Sequence, residues 1–419
     1  TSLQGGLGLG TAADGSLWSV AFNAAGVWLN RADMNGVFLS SAALPGADPG
    51  FPWSVAFDAA GNPYAVGGAI APNGADVLAV YKADPISSAI TSSQTFDSGF
   101  NNNNLVYATA QASSSSPVWI VGSVQTSGPI SWTQAGGRTY ELAVWNFNPA
   151  TGVIALTGTY SRAGFDAATG AALDAAGNLW VSGFSQSPSP LSPNAFDLAL
   201  WQFAPDGKTL LSGPALRTGA LPDVAMNDLA PVYLSSGTAY VASPRALPSG
   251  QTNQDMAAFS MSSGTLLAEN AWQSNDGSSA FPSAAVTDAA GNLVVAGGYV
   301  YQDGSTAAGL WRYGAGNLES AALTDAGGAR GATFNNGALW LAVDGSTSPY
   351  LDAAETPAGG SFADVEPPRV GTRTKGRSMN IRIPEFFRAP TLQARSSNRR
   401  ALICSGRRSF EKIARRSSC

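Results

Sequence analysis

The chain has 419 residues, 44% of them hydrophobic and only 12% charged, so it can bury a sizeable core beneath a surface of Ser, Thr, Asn, Gln and Gly. That balance is typical of secreted, β-rich proteins and unlike most cytosolic enzymes, where charged residues reach about 25%. Residues 1–368 hold nine basic against 26 acidic side chains, a balance of −17, while residues 369–419 hold 14 basic and two acidic ones, a balance of +12. The acidic body excludes nucleic acid as its partner, because phosphate binding needs a basic face.

One turn sequence recurs along the body. "DAAGN" stands at Asp58–Asn62, Asp174–Asn178 and Asp288–Asn292. Aligning on its glycine brings out looser copies in chain order: "ADGSLWSV" (Ala13–Val20), "AGNPYAVGG" (Ala60–Gly68), "SSPVWIVGS" (Ser115–Ser123), "AGNLWVSGF" (Ala176–Phe184), "SGTAYVAS" (Ser236–Ser243), "AGNLVVAGG" (Ala290–Gly298) and "NGALWLAV" (Asn336–Val343). The matching positions are spaced 46, 55, 61, 60, 54 and 46 residues apart, which defines seven units.

Each unit follows one grammar. A short strand such as "WSVAFDAAGN" (Trp53–Asn62) enters the turn, and a second strand leaves it. An aromatic sits three residues past the turn position in six units, at Trp18, Tyr64, Trp119, Trp180, Tyr240 and Trp340, with Val294 in the remaining one. After a variable loop comes a third strand, as in "DVLAVYKADP" (Asp76–Pro85), "ELAVWNFNPATG" (Glu141–Gly152), "DLALWQFAPDG" (Asp197–Gly207), "DMAAFSMSSG" (Asp255–Gly264) and "AGLWRYGAG" (Ala308–Gly316). A tight polar turn then opens a fourth, such as "KTLLSGPAL" (Lys208–Leu216). Short β-branched and aromatic runs between Gly/Asn/Asp turns predict strands, and the absence of a sustained 3.6-residue apolar stripe predicts little helix.

Four antiparallel strands repeated at this period predict an all-β fold, a seven-bladed β-propeller of four-stranded antiparallel blades over residues 1–366. The units resemble the SBBP-type β-propeller repeat of bacterial exported proteins, through the "DAAGN" turn, the "LWVSGF" strand and the "DLALWQFAPDG" strand and turn. The resemblance covers roughly residues 10–345 and implies the fold without a single activity. Kelch repeats are the second resemblance, carried by the paired glycines Gly67–Gly68 and Gly297–Gly298. The seventh unit has no "DLALW"-type third strand, so closing the ring falls to Thr1–Gly10, as a strand of the last blade, and to residues 346–366 as another. After Pro367–Pro368 the repeat stops, and residues 367–419 read as a basic, disordered appendage. Such a tail could bind anionic surfaces or be a frameshifted end.

The candidate sites divide by face. The turn aspartates Asp58, Asp174 and Asp288 would serve as cation ligands or catalytic carboxylates in one reading. In the other they accept backbone hydrogen bonds while Gly-Asn provides the turn geometry, and the divergent turns "ADGS", "LSSGT" and "FNNGA" favour this. Asp76, Glu141, Asp197 and Asp255 open the third strands, where pairing with backbone donors outweighs a cation- or sugar-binding ring. The recurring Trp119, Trp180, Trp340, Trp145, Trp201 and Trp311 read as inter-blade core rather than sugar platforms.

In a four-stranded blade the 1–2 and 3–4 turns share one face, and the 2–3 loops and blade connections share the other. Here the second face varies most, through Ser123–Tyr140, Ser185–Phe196 and Pro244–Gln254. Trp132, Arg138, Arg245, Tyr299 and Tyr301 lie in or beside such loops and are the predicted ligand-binding residues.

Chemistry is narrowed by residue types. There is no histidine, and the two cysteines, Cys404 and Cys419, both lie in the tail. The body therefore has no Ser–His triad, cysteine nucleophile or histidine-ligated metal, and no catalytic residue, cofactor or metal is assigned. A carboxylate pair at about 5–9.5 Å could still run glycoside hydrolysis. No apolar run reaches the roughly 18 residues of a membrane helix. The start at Thr-Ser, without Met, suits a removed signal peptide and export to the medium or cell surface. The sequence thus predicts an exported, non-catalytic propeller that binds a glycan or protein. A carboxylate-dependent polysaccharide hydrolase or lyase, and a structural subunit of an extracellular assembly, are the alternatives.

Overall fold

The computed structural model describes residues 5–97, 103–127, 139–162, 165–186, 196–221, 229–246, 252–272, 274, 278–288, 291–314, 317–324, 328–335, 338–343 and 351–355. They form only strands and their connections, with no helix among the described residues. The expected tail, residues 367–419, lies outside them. By backbone contacts the propeller falls in one unit, Thr1–Phe387, and Arg388–Cys419 is a second.

Six four-stranded sheets follow one another along the chain. The first blade is Gly5–Thr11 (β1), Leu17–Asn23 (β2), Gly26–Ala32 (β3) and Phe38–Ala43 (β4). The second is Ser54–Phe57 (β5), Pro63–Ile70 (β6), Asp76–Ala83 (β7) and Ile90–Phe96 (β8). The third is Asn104–Ala110 (β9), Val118–Ser127 (β10), Thr139–Asn148 (β11) and Val153–Tyr160 (β12). The fourth is Asp166–Leu173 (β13), Leu179–Gln186 (β14), Phe196–Phe203 (β15) and Leu210–Leu221 (β16). The fifth is Val232–Ser235 (β17), Thr238–Ala246 (β18), Thr252–Ser260 (β19) and Leu266–Trp272 (β20). The sixth is Ser279–Thr287 (β21), Leu293–Val300 (β22), Thr306–Gly314 (β23) and Asn317–Thr324 (β24). The seventh unit gives a three-stranded closing sheet of Ala329–Asn335 (β25), Ala338–Val343 (β26) and Leu351–Glu355 (β27).

The propeller therefore has six four-stranded blades, not the seven predicted from the repeat count. The departure falls where the sequence lost its "DLALW" strand: β27 reads "LDAAE" and pairs with β26 as the last described strand. Thr1–Gly10 also behaves differently from expectation. Gly5–Thr11 pairs with Leu17–Phe22 of its own blade, across the Ala12–Ser16 turn, instead of joining the last sheet. A five-residue turn closes at far smaller entropic cost than a link across the whole chain.

Burial falls from the middle of each blade outward. All but the last residue of β14 is buried, and β6 is buried except at Ile70, whereas β8 is exposed or half-buried throughout. Sheets covered on both faces need near-continuous apolar strands, which is why "LWVSGF" and "DLALW" do not alternate. The core is a set of wedges between neighbours. Trp145 fills the wedge between the second and third blades, Trp201 the next, Trp180 with Phe259 the one after, and Trp311 that between the fifth and sixth. Truncating one such Trp to Ala would cost about 3–5 kcal/mol.

Ring closure uses the same device. Trp340 of the closing sheet packs with Leu17 and Ala32 of the first blade. The Thr11 and Thr333 hydroxyls meet at 3.0 Å, and the Asn335 amide donates to the Gly15 carbonyl at 2.8 Å. No strand is exchanged across this joint among the described residues.

Candidate functional site

The two ends of the ring are chemically unlike. On the turn face the "DAAGN" carboxylates are consumed by their own turns. Asp174 accepts from the Ala176 and Asn178 backbone N–H groups (2.9 Å each), from Asn178 Nδ2 (2.9 Å) and from the Trp180 indole (3.1 Å). Asp58 repeats this with Ala60, Asn62 and the Tyr64 hydroxyl, and Lys82 stands 3.5 Å away. Asp288 accepts from Asn292 and pairs with Arg312 at 3.0 Å. Burial opposes ionisation of Asp58 and Asp174, yet the hydrogen bonds win and hold both below the ordinary carboxylate value. The left-handed position of these turns is the glycine alone, with φ of 79° at Gly61 and 82° at Gly177. The turn reading of these aspartates therefore holds, with Gly rather than Gly-Asn bearing the positive φ.

The carboxylates that open the third strands do something else. Asp197 (3% exposed) faces Arg162 at 3.3 Å, and Arg162 arrives from the connection between the third and fourth blades. Asp255 (fully buried) faces Arg217 at 3.2 Å, and Arg217 belongs to β16 of the preceding blade. Arg217 also approaches Glu269 at 3.5 Å, while Arg245 lies 3.3 Å from Glu269 and 3.8 Å from Asp255. The Asp255–Arg217 contact is an ion pair at 3.2 Å inside the blade boundary. Burial raises the Asp255 pKa; Arg217 and Arg245 pull it down and Glu269 pushes it up, leaving it above the ordinary value. The principal partners of Asp197 and Asp255 are thus arginines reaching across a blade boundary, rather than the backbone donors the sequence suggested.

The loop face carries an aromatic cluster. Tyr140 and Phe165 pack at 5.0 Å between centroids, and Phe165 meets Phe196 edge-on at 5.4 Å. Tyr107, Leu105 and Leu229 are buried with Tyr140, and Phe51 is half-buried against them. Phe51, Phe165 and Leu229 precede first strands, and Tyr140 and Phe196 stand at the beginning of third strands, so four successive blades deliver them to one end of the ring. Tyr107 and Leu229 also line an axial cavity of about 260 Å³, whose walls come from β1, β5, β9, β13, β17, β21 and β25. The walls are mostly small residues because the inner strands crowd the axis. At Gly8, for example, a Cβ would run into the Trp53 carbonyl. Arg330 is the charged residue among the described lining.

The predicted ligand-binding residues separate. Trp132 and Arg138 lie outside the described residues. Arg245 sits in the Asp255–Glu269 charge cluster, 39% exposed at its side chain. Tyr299 is fully buried, 4.9 Å from Tyr301 and 5.6 Å from Trp272 between centroids. The Phe51, Phe165 and Phe196 cluster was not anticipated. Its signal was present as aromatics placed just before or at strand starts, away from the repeat's own aromatic position. The longest predicted loops are also shorter than expected, since β10 and β11 run on to pair Gln125 with Tyr140.

No family model matches the chain, and no curated protein matches it. Solved structures are similar to it. The chain resembles BamB from Moraxella catarrhalis at 14% identity and a TM-score of 0.43, covering 81% of this chain and 82% of that one. It resembles the Dos1 propeller at 10% identity and a TM-score of 0.48, over 82% and 76% of the two chains. The computationally designed Ika8 protein gives 11% identity and a TM-score of 0.45, over 84% and 96%. Among the described residues no helix is long and apolar enough to cross a membrane, a statement that leaves β-barrels aside.

Proposed function

We propose that this propeller is a non-catalytic interaction module that docks its ligand, a protein or a glycan, on the loop face. The observation that carries this reading is the pair of half-buried rings Phe165 and Phe196 on that face, packed edge-on and backed by the buried Tyr140. Aromatics supply large contact area at low entropic cost, and variable loops on a rigid scaffold are the usual place for recognition. The opposite face offers less, since its turn carboxylates are already bonded within their turns. Secretion or surface display fits the 12% charged composition, and SBBP-type repeats fit the turn and strand grammar.

The full chain should be screened against a glycan array and surface-protein extracts. The hit is then retested after residues 187–195, between β14 and β15, are replaced by a Gly/Ser linker of equal length. Binding should be lost in that variant and kept in Lys82→Ala on the turn face. The opposite pattern sinks the assignment.

A further inference from the structure

One surface on the rim of the turn face is apolar without belonging to any wedge. Met34, Val37 and Leu39 are 42%, 38% and 48% exposed, and Ile86 is 77% exposed. The first three lie in or just after the 3–4 turn of the first blade, and Ile86 lies in the corresponding turn of the second. The two turns are tied together: Arg31 donates to the Ile86 carbonyl at 3.1 Å, and the Ser40 and Ser88 hydroxyls meet at 2.6 Å. Carboxylates Asp14, Asp33 and Asp84 flank the patch with Arg31 as the cation among them, so its surroundings are net acidic. Isolated exposed apolar residues need no explanation, but a contiguous set of this kind marks an interaction surface.

The described chain ends beside this patch. Glu355 at the close of β27 pairs with Ala338 of β26, next to the turn face. Two residues along β26, the Trp340 ring lies against Gly36, in the same turn as Met34 and Val37. Residues 369–387 then carry five basic side chains, Arg369, Arg373, Lys375, Arg377 and Arg382, against one acid, Glu385. Within them Met379, Ile381 and Ile383 alternate with Asn380 and Arg382, so an extended backbone presents all three apolar side chains on one face. The 23 intervening residues, 356–378, are rich in Gly and Pro. A chain of that length spans roughly 25–29 Å, ample for a patch beside its exit point.

We propose that residues 377–387 dock back onto the Met34–Leu39 and Ile86 patch, with Met379, Ile381 and Ile383 against the apolar side chains and Arg377, on the same face of an extended backbone, toward Asp14, Asp33 and Asp84. Tethering makes the contact intramolecular, with an effective concentration of about millimolar, so modest contacts suffice. The surface is then a seat for the chain's own basic segment and is separate from the loop-face site.

Hydrogen–deuterium exchange on the full chain tests this. Segments 33–40 and 84–90 should be protected in the wild type and lose that protection in the double variant Ile381→Asp, Ile383→Asp, which leaves the propeller sequence untouched. A synthetic peptide of residues 376–388 added to that variant should restore it, and raised salt should weaken it. Identical exchange in wild type and variant overturns the proposal. So does protection that scales with protein concentration, since the occupant would then be a second copy of the chain.

Discussion

Asp174 and Asp255 are the same residue type at recurring positions of neighbouring blades, yet they hold the molecule together in opposite ways. Asp174 organises only the stretch from itself to Trp180, with four donors at 2.9–3.1 Å and a depressed pKa. Asp255 is sealed in a blade boundary and relies on Arg217, reaching in from the preceding blade, with Arg245 of its own blade further off. A carboxylate satisfied by short-range donors is a local device that can be copied into every repeat. A carboxylate satisfied by a charge on the adjoining blade is a joint, and it works only when both blades are in place.

The sharpest test of this contrast removes the arginine. Arg217→Ala should destabilise the protein by about 3–5 kcal/mol in urea unfolding followed by tryptophan fluorescence, because it strands a buried charge. The paired variant Arg217→Met, Asp255→Leu should recover most of that loss; a paired variant as unstable as the single one would mean packing, not charge, was at stake. Next in size, Asp174→Ala should cost about 1–3 kcal/mol, since water can replace some of the lost donors at a surface turn. If Asp174→Ala cost more than Arg217→Ala, the local-versus-joint distinction would collapse.

The smallest effect is the dependence on pH, where the two groups have opposite signs. The folded pKa of Asp174 is below its unfolded value, so its stabilisation is full above the ordinary carboxylate pKa and disappears as pH falls through the folded value. The folded pKa of Asp255 is above its unfolded value, so the folded state holds the extra proton and stability declines as pH rises between the two. Melting curves from about pH 2 to 7 should show Asp174→Asn softening the acid limb, and Asp255→Asn removing a decline at higher pH. Matching slopes in the two variants would contradict the assigned directions.

Much of the fold was legible in the sequence because its signals are local. Gly61, Gly177 and Gly291 mark turns whose geometry depends on a handful of neighbouring residues. The third strands begin at or up to three residues before the predicted position, with Asp76 opening β7 and Asp197 and Asp255 second and fourth in β15 and β19. Trp145, Trp201 and Trp311 are fully buried, as recurrence at one strand position implied. What escaped was non-local. Nothing in the sequence spacing pairs Arg162 with Asp197 or Arg217 with Asp255, because the two arginines occupy different places relative to their strands. The aromatic cluster escaped for a related reason: Phe51, Phe165 and Phe196 are far apart in the chain and meet only because a ring brings successive blade starts to one axis. Closure escaped too, since Gly5–Thr11 could join either end of the ring and only the short Ala12–Ser16 turn decides between them.

The joint at Trp340 also sets an order of events during synthesis. Every other wedge unites repeats that are neighbours in the chain, and can form as soon as the second of them leaves the ribosome. The Thr11–Thr333 contact joins residues 322 apart, so the first blade must wait for nearly the whole body to be made. Until then its Leu17 and Ala32 flank has no cover, and the nascent chain is an open arc.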